Sequence, residues 1–344
     1  MAHVPVERHR LDNGLRVFLS PDGRTPIVAV NLWYDVGSRH EARGRTGFAH
    51  LFEHMMFQGS ENVAKGDHFT FINGAGGTLN ASTWTDRTNY FETLPSHELE
   101  LALWLESDRM ASLLPAMTQE KLDNQRDVVK NERRLSVDNQ PYGTAEERMQ
   151  ALVWPEGHPY HHSTIGSMED LSAASLDDVS RFFATYYAPN NAVLTVAGDF
   201  DRDTALAAVE RHFGPIPANP DLPEAPVVDV PATLGAEVRE VVPDQVELPR
   251  VHVAYRIPPF GTDDHQAFDV ISDLLGTGRA SRLYRSLVRD RQLAADVAAF
   301  VFPWAAGSTV LATWATARPD VEVEALEAQL LEDVARLASD GPTD

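Results

Sequence analysis

Hydrophobic and polar residues alternate along several short stretches in the way that half-buried β-strands require. The first stretch contains Asn13-Gly14, a pair that is typical of tight turns between two strands. Residues 78–84 and 88–93 form a second predicted strand pair. In all, strands are predicted at residues 6–20 with a turn inside, 27–36, 78–84, 88–93, 192–197 and 251–256.

Other stretches repeat apolar residues every three or four positions, which predicts amphipathic helices. Ser96 and Ser175 stand directly before two of these repeats and are suitable N-caps. Helices are predicted at residues 47–59, 96–114, 118–137, 175–187, 204–213, 267–275 and 321–337, and residues 66–72 are predicted to form a short helical or irregular connection. The chain therefore mixes helices and strands along its length.

The predicted helix at residues 47–59 carries the candidate chemistry. Its His50 and His54 are four residues apart, so they project from one face of the helix. Two neutral imidazoles so placed can bind one Zn²⁺, and Glu53 can reach a water molecule on that metal. The order His-x-x-Glu-His is the inverted zinc-protease motif of the inverzincins. The alternative is a pair of histidines with a purely structural role.

Composition and charge narrow the classes of ligand and metal site. The net charge of −22 opposes nucleic-acid binding and suits a basic peptide or protein better. Because the chain has no cysteine, a metal would have to use histidine and carboxylate ligands. The sequence contains no run of about 18 apolar residues, so it predicts no membrane span. The N-terminus lacks the apolar core of a signal peptide, and the predicted location is the cytoplasm.

Six prolines between residues 215 and 231 mark a stiff, extended connection. We therefore predict a zinc-binding domain at residues 1–218, a linker at 219–236 and a second domain at 237–344.

The second half repeats the order of elements in the first, with a strand, a loop, a helix and then glycines. This order indicates an internal duplication. If Gly278 is aligned with Gly59, then Asp269, Ser272 and Asp273 take the places of His50, Glu53 and His54, respectively. The second copy therefore keeps the helix without the metal ligands.

The inverted motif, a downstream helix bearing Glu132 and a duplicated half without the motif together resemble the pitrilysin family of zinc metallopeptidases, family M16. This family includes insulinase and the mitochondrial processing peptidase. The resemblance implies an α+β fold of duplicated domains, each a mixed, mostly antiparallel sheet with helices packed on it. It also implies that Glu132, in the segment at residues 126–132, is the third zinc ligand. An accessory acid of the family falls on Gln125, so that carboxylate is missing.

The resemblance also bears on partners. Active members often place an Arg and, seven residues later, a Tyr in the second half, where they hold the substrate and stabilise the oxyanion. The matching positions here are Val288 and Ala295, so the pair is missing. Some bacterial relatives divide the zinc motif and the Arg/Tyr pair between two subunits. We therefore expect a homo- or heterodimer with a second M16-like subunit that carries the pair.

The sequence thus predicts a zinc-dependent endopeptidase acting on peptides or small unfolded proteins, with one Zn²⁺ per chain held by His50, His54 and Glu132. Glu53 would take a proton from the zinc-bound water as it attacks the scissile carbonyl. The strand pair at 78–93 offers an edge to an extended peptide, with Asn80 and Ala81 nearest, although an ordinary hairpin fits equally well.

Two other functions stay open. One is a non-catalytic scaffold or binding subunit of an M16-type processing complex, and the other is a non-peptide metal hydrolase. Residues 339–344 resemble a helix stop followed by a helix start at Thr343. The second half is also too short to repeat every element of the first. We therefore expect an incomplete second domain, in a truncated form of a longer subunit.

Overall fold

The computed structural model describes residues 4–226, 230 and 234–342. The chain forms two compact units, of which the first comprises Met1–Glu132 with Ser163–Ala225. The second comprises Arg133–His162 with Pro226–Asp344, so residues 133–162 group with the second unit, unlike in the predicted division.

The predicted domain boundaries at 218 and 237 stay a prediction. Residues 227–229 and 231–233 of the predicted linker, and the predicted N-cap Thr343, lie outside the described residues.

Both units contain helices and strands. The strands are β1 (Glu7–Arg10), β2 (Arg16–Pro21), β3 (Ile27–Tyr34), β4 (Thr78–Thr83), β5 (Thr88–Pro95), β6 (Ala192–Gly198), β7 (Arg250–Ile257), β8 (Ala294–Val301) and β9 (Thr309–Ala317). The helices are α1 (Phe48–Met55), α2 (Asp67–Gly74), α3 (Leu99–Ser112), α4 (Gln119–Arg133), α5 (Ala145–Val153), α6 (Met168–Ala173), α7 (Leu176–Tyr186), α8 (Arg202–Phe213), α9 (Asp263–Gly276) and α10 (Val323–Asp340).

A six-stranded mixed sheet forms the frame of the first unit, in the order β1-β2-β6-β3-β5-β4. β2 and β6 are parallel, and the remaining neighbours are antiparallel. The alternation predicted for β3 is present, since Val28, Val30 and Leu32 are buried whereas Trp33 is 40% exposed. The buried face packs against the apolar sides of the helices. β4 is an edge strand of this sheet.

The second unit contains a three-stranded antiparallel sheet in the order β7-β9-β8. Its chain order of strand, helix and two further strands, with the last strand in the middle, repeats the arrangement of β3, α1, β4 and β5. The α+β fold class with duplicated domains is therefore confirmed.

Two predicted helix starts have different outcomes. Ser175 caps α7, where its side chain accepts a hydrogen bond from the backbone of Asp178. Ser96 does not cap α3, which begins at Leu99 after a short 3₁₀ turn. The Ser96 hydroxyl instead lies 3.2 Å from Asp199 Oδ2, so a tertiary contact replaces the predicted cap.

The predicted helix at 118–137 is also shorter than expected. α4 ends at Arg133 and continues as a π-helical segment, Arg134–Asp138. β8, β9, α5 and α6 were not predicted. Among the helices that the structure describes, none is long and apolar enough to cross a lipid bilayer.

Candidate metal centre

The start of α1 is held by the loop that precedes it. The Glu41 carboxylate accepts hydrogen bonds from the backbone N–H groups of Gly47, at 2.9 Å, and Ala49, at 2.7 Å. A carboxylate at this end of a helix satisfies N–H groups that have no partner within the helix. The local contacts therefore fix where α1 begins and how its first turn is oriented.

The apolar face of α1 anchors the helix in the core. Phe48, Leu51, Phe52 and Met55 are all almost fully buried. Because these positions take up one side of the helix, His50, Glu53 and His54 lie on the remaining side, where all three are half-buried. The motif residues are thus presented together at the margin of the core.

The structure brings His50, His54 and Glu132 together, although Glu132 lies on α4. His50 Nε2 is 3.6 Å from Glu132 Oε1, and His54 Nε2 is 3.3 Å from Glu132 Oε2. One ligand atom from each residue lies within 4.8 Å of the others. Ligand atoms of a tetrahedral zinc ion with bonds of 2.0–2.1 Å are about 3.3 Å apart. The spacing and the donor set of two imidazoles and one carboxylate therefore fit a zinc ion.

The protonation of the two imidazoles differs. Burial, reinforced by the charge of His54, lowers the pKa of His50 to about 4. Burial acts on His54 in the same direction, but its hydrogen bond to Glu132 and the nearby carboxylates outweigh burial and raise its pKa. The same hydrogen bond to His54 lowers the pKa of Glu132. His50 is thus neutral at pH 7, which is the form that binds metal.

Glu53 lies beside this group of donors and accepts a hydrogen bond from a strand residue. The Thr83 hydroxyl, at the end of β4, donates a hydrogen bond to Glu53 Oε2 at 2.5 Å. Burial raises the pKa of Glu53, and the hydrogen bond from Thr83 opposes this effect. Sequence reasoning missed Thr83, because nothing in its pattern distinguishes it from any other threonine in a strand.

Gln125 also belongs to this site. Gln125 is only 7% exposed on α4, its Nε2 donates a hydrogen bond to Asn124 Oδ1 at 3.0 Å, and its side-chain amide lies near enough to His54 to raise the pKa of that ring. The position that lacks the family's carboxylate therefore still supplies a polar partner to a candidate metal ligand. Such outer partners orient a ligating imidazole and select its tautomer.

The two predicted substrate-binding residues lie on the edge strand β4. Asn80 is exposed, and its side-chain oxygen accepts a hydrogen bond from the backbone N–H of Ala81 at 2.9 Å. That N–H is thus satisfied locally by a side chain that a competing carbonyl could displace. Edge strands of this kind can pair with an extended peptide.

A second group of possible metal donors lies deeper in the first unit. His68, Glu92 and Glu106 are all buried, with ligand atoms within 4.8 Å of one another. However, Arg109 forms a two-pronged ion pair with Glu106 and lies 4.1 Å from the centroid of the Tyr90 ring. The Arg109 guanidinium therefore already supplies the positive charge that pairs with these carboxylates, and we assign no metal to this cluster.

Among its described residues, the second unit has no comparable centre. Asp269, Ser272 and Asp273 lie on α9, the counterpart of α1, and both groups of possible metal donors in the described chain belong to the first unit. Val288 packs against the core of the second unit, and Ala295 lies on β8. Neither side chain can donate a hydrogen bond to a substrate.

Comparison with known proteins identifies the family. Residues 16–162 match the family model described as insulinase, peptidase family M16, and residues 173–344 match the one described as peptidase M16 inactive domain. The chain is 34% identical over 327 residues to the zinc protease PqqE of Helicobacter pylori. The aligned region covers 93% of this chain and 72% of that protein.

Two further relatives extend this similarity. The crystal structure of a protease from Helicobacter pylori is 31% identical, with a TM-score of 0.93, over 99% of this chain and 82% of that one. A mitochondrial-processing peptidase subunit beta of Lentinula edodes is 27% identical, over 83% of this chain and 61% of that protein. On the strength of both family models and these relatives, the chain belongs to peptidase family M16.

Proposed function

We propose that this chain is a zinc metalloendopeptidase that hydrolyses peptide bonds in peptides or small unfolded proteins. The observation that carries the proposal is the convergence of His50, His54 and Glu132, with Glu53 beside them on the same helix as the histidines. Relatives named zinc proteases support a peptidase of this kind.

The three converging residues would hold one Zn²⁺ per chain and leave a further position open, as catalytic zinc sites do. When bound, Zn²⁺ acts as a Lewis acid that polarises a carbonyl oxygen and acidifies water near neutral pH. Gln125 would keep the His54 ring in its orientation as a polar partner beside it. His50, His54 and Glu132 would thus bind the ion, and Gln125 would orient one of these ligands.

Glu53 would act as the general base and then as the general acid. Its carboxylate accepts a proton from the water molecule that attacks the scissile carbonyl, and later returns that proton to the leaving amine. Its position one residue before His54 keeps it close to the donor atoms without making it one of them.

The substrate would pair as an extended strand with the open edge of β4, near Asn80 and Ala81. Main-chain hydrogen bonds to such an edge bind many sequences, because they do not depend on side chains. The charge of −22 favours basic peptides. Cleavage of a basic peptide should then weaken with added salt, whereas cleavage of a neutral peptide should not.

Complete activity would require a second M16-like subunit that carries the Arg/Tyr pair, in a homo- or heterodimer. Val288 and Ala295 provide neither a cation nor a phenol, and the similar protein from Lentinula edodes is by name one subunit of a peptidase. Adding a pair-bearing subunit should raise turnover strongly. Efficient turnover by this chain alone, as a monomer in light scattering, would contradict the requirement.

A second candidate is a non-catalytic scaffold subunit of an M16-type complex. The missing Arg/Tyr pair favours it, as does the family model described as an inactive domain over residues 173–344. The intact set of His50, Glu53, His54 and Glu132 argues against it. The cytoplasmic location likewise stays a prediction, which fractionation of cells would test.

Metal analysis and a peptidase assay on the same preparation separate the two functions. Protein purified without chelators should contain about one zinc per chain and cleave a quenched fluorescent peptide, as a site with three protein ligands would. Removing the metal should abolish cleavage, and adding Zn²⁺ should restore it. A scaffold would need neither metal nor turnover, even with the second subunit present.

A further inference from the structure

We propose that Thr83 is a positioning residue for Glu53, whose carboxylate it orients so that one oxygen is held and the other is free to exchange a proton. The inference rests on the proposed peptidase function and adds a residue to it. It also links the general base to the strand on which substrate is expected to bind.

The geometry around Thr83 determines where its hydroxyl proton goes. Thr83 Oγ1 donates to Glu53 Oε2 at 2.5 Å. Thr88, its partner across β4 and β5, donates from its own hydroxyl to the Val36 carbonyl at 2.8 Å and lies 3.4 Å from Thr83 Oγ1. A hydroxyl has only one proton to donate. An ionised carboxylate can only accept a hydrogen bond, so the proton of Thr83 is directed to Glu53.

This contact constrains a side chain that otherwise has several rotatable bonds. A glutamate that is free to rotate must give up rotamer freedom when it is ordered. Thr83 is fixed by the strand and therefore orders Glu53 before substrate arrives. Among the residues that the structure describes, no hydrogen bond engages Glu53 Oε1, which leaves that oxygen for the attacking water.

The place of Thr83 in the sheet gives the contact a second consequence. Thr83 ends the edge strand that carries Asn80 and Ala81. A peptide paired with β4 would thus be registered by the same strand that holds the general base. The distance from the scissile bond to the Glu53 carboxylate would then depend on one rigid element instead of on two.

A purely structural role for Thr83 makes different predictions. Threonine and valine are both β-branched and both suit strands. If Thr83 only stabilises β4, Thr83→Val should be harmless, and Thr83→Ser, which loses the branch, should be the more damaging change. If the hydroxyl positions Glu53, the order of the two variants is reversed.

The test measures kcat, KM and zinc content for Thr83→Val, Thr83→Ser and the control Thr93→Val, with a quenched peptide and any subunit that wild-type turnover requires. Thr93 is an exposed threonine on β5, outside the strand edge proposed to pair with substrate, so its change tests only the valine substitution. Thr83→Val should lower kcat by about 10- to 100-fold and leave KM within about 2-fold, since a misplaced catalytic group impairs chemistry more than binding. Thr83→Ser should stay within about 3-fold of wild type, and all variants should keep their zinc.

Two results would overturn the assignment. Wild-type kcat in Thr83→Val, or equal losses in the serine and valine variants, would remove the positioning role while leaving the peptidase function standing. Absence of turnover in zinc-loaded wild-type protein with its partner would instead defeat the proposed function, and the role of Thr83 with it.

Discussion

His54 Nε2 lies 3.3 Å from Glu132 Oε2, and this contact joins two helices that are far apart in the sequence. His54 is on α1, which is anchored by its buried apolar face, and Glu132 is near the end of α4. The relationship means that the candidate metal centre depends on the packing of both helices. Changes to the donor atoms and changes to the helix positions should therefore have separable effects.

Replacing Glu53 by Gln should abolish turnover and leave the zinc content unchanged, because the side chain transfers a proton but does not bind the metal. His54→Ala should lose both, because it removes a ligand. A loss of at least about 100-fold in kcat is expected for Glu53→Gln, as for other general bases. Zinc analysis and the quenched-peptide assay on the same samples measure both effects. Full activity in Glu53→Gln would refute the assignment.

Gln125→Leu should weaken zinc binding by about 10- to 100-fold, the usual cost of removing an outer partner from a ligating histidine. The leucine keeps the volume of the side chain but offers no polar group to the His54 ring. Gln125→Glu is the matched control, since it restores the carboxylate expected at this position and should bind zinc at least as tightly as wild type. Titration with a competing chelator gives the affinities. An unchanged affinity in Gln125→Leu would show that the polar partner is dispensable.

Gly166→Ala should both destabilise the first unit and weaken zinc binding. Gly166 has φ +70°, and a Cβ atom there would lie 2.3 Å from the Cα and N atoms of Gly47, directly before α1. Gly44→Ala is the control, because its φ of +76° is equally left-handed but no atom lies within 4 Å.

The left-handed backbone alone should cost each variant about 1–2 kcal/mol of unfolding free energy. Only Gly166→Ala should lose more than this and release zinc, because the start of α1 must move. Urea unfolding and zinc titration distinguish the two variants. Equal losses and unchanged zinc affinity in both would contradict a tight contact at Gly47.

Glu92→Gln should make the chain more stable relative to wild type as the pH rises. Burial raises the pKa of Glu92 well above its usual value of 4.5, the charge of Glu106 adds to this, and Arg109 opposes it. The folded state therefore keeps a proton on Glu92 that the unfolded state releases above about pH 4.5, so wild-type stability falls as the pH rises. Burial lowers the pKa of His68, which faces the same cluster and stays neutral in the folded state. Below the ordinary histidine pKa, the contribution of His68 therefore makes the stability rise with pH, opposite to the contribution of Glu92.

Urea unfolding of wild type and Glu92→Gln at pH 5, 6 and 7 is the measurement, with zinc saturating throughout. The difference in unfolding free energy should grow in favour of the variant by up to about 1.4 kcal/mol per pH unit. Glu120→Gln makes the same chemical change at an exposed position of α4 and controls for it. A difference between wild type and Glu92→Gln that stays constant with pH would show that Glu92 is ionised in the folded state.

Local features of the sequence determined much of this protein. The apolar repeat around His50 and His54 predicted α1 and the side of it that carries the motif, because helical spacing depends only on neighbouring residues. Ser175 was recognisable as a cap for the same reason. The alternation in β3, β4 and β5 likewise identified the strands. The resemblance to a known family, resting on spaced motifs, supplied Glu132.

Tertiary structure decided what depends on residues far apart in the chain. The order of strands, including the parallel pair β2 and β6, follows from packing across the whole first unit. Ser96 satisfies every local rule for a cap, yet its hydroxyl contacts Asp199. Thr83 likewise has no distinguishing local pattern, since its role arises only where the end of β4 meets Glu53 on α1. Side-chain hydrogen bonds form wherever folding places partners within about 3 Å, and short-range sequence patterns do not contain that distance.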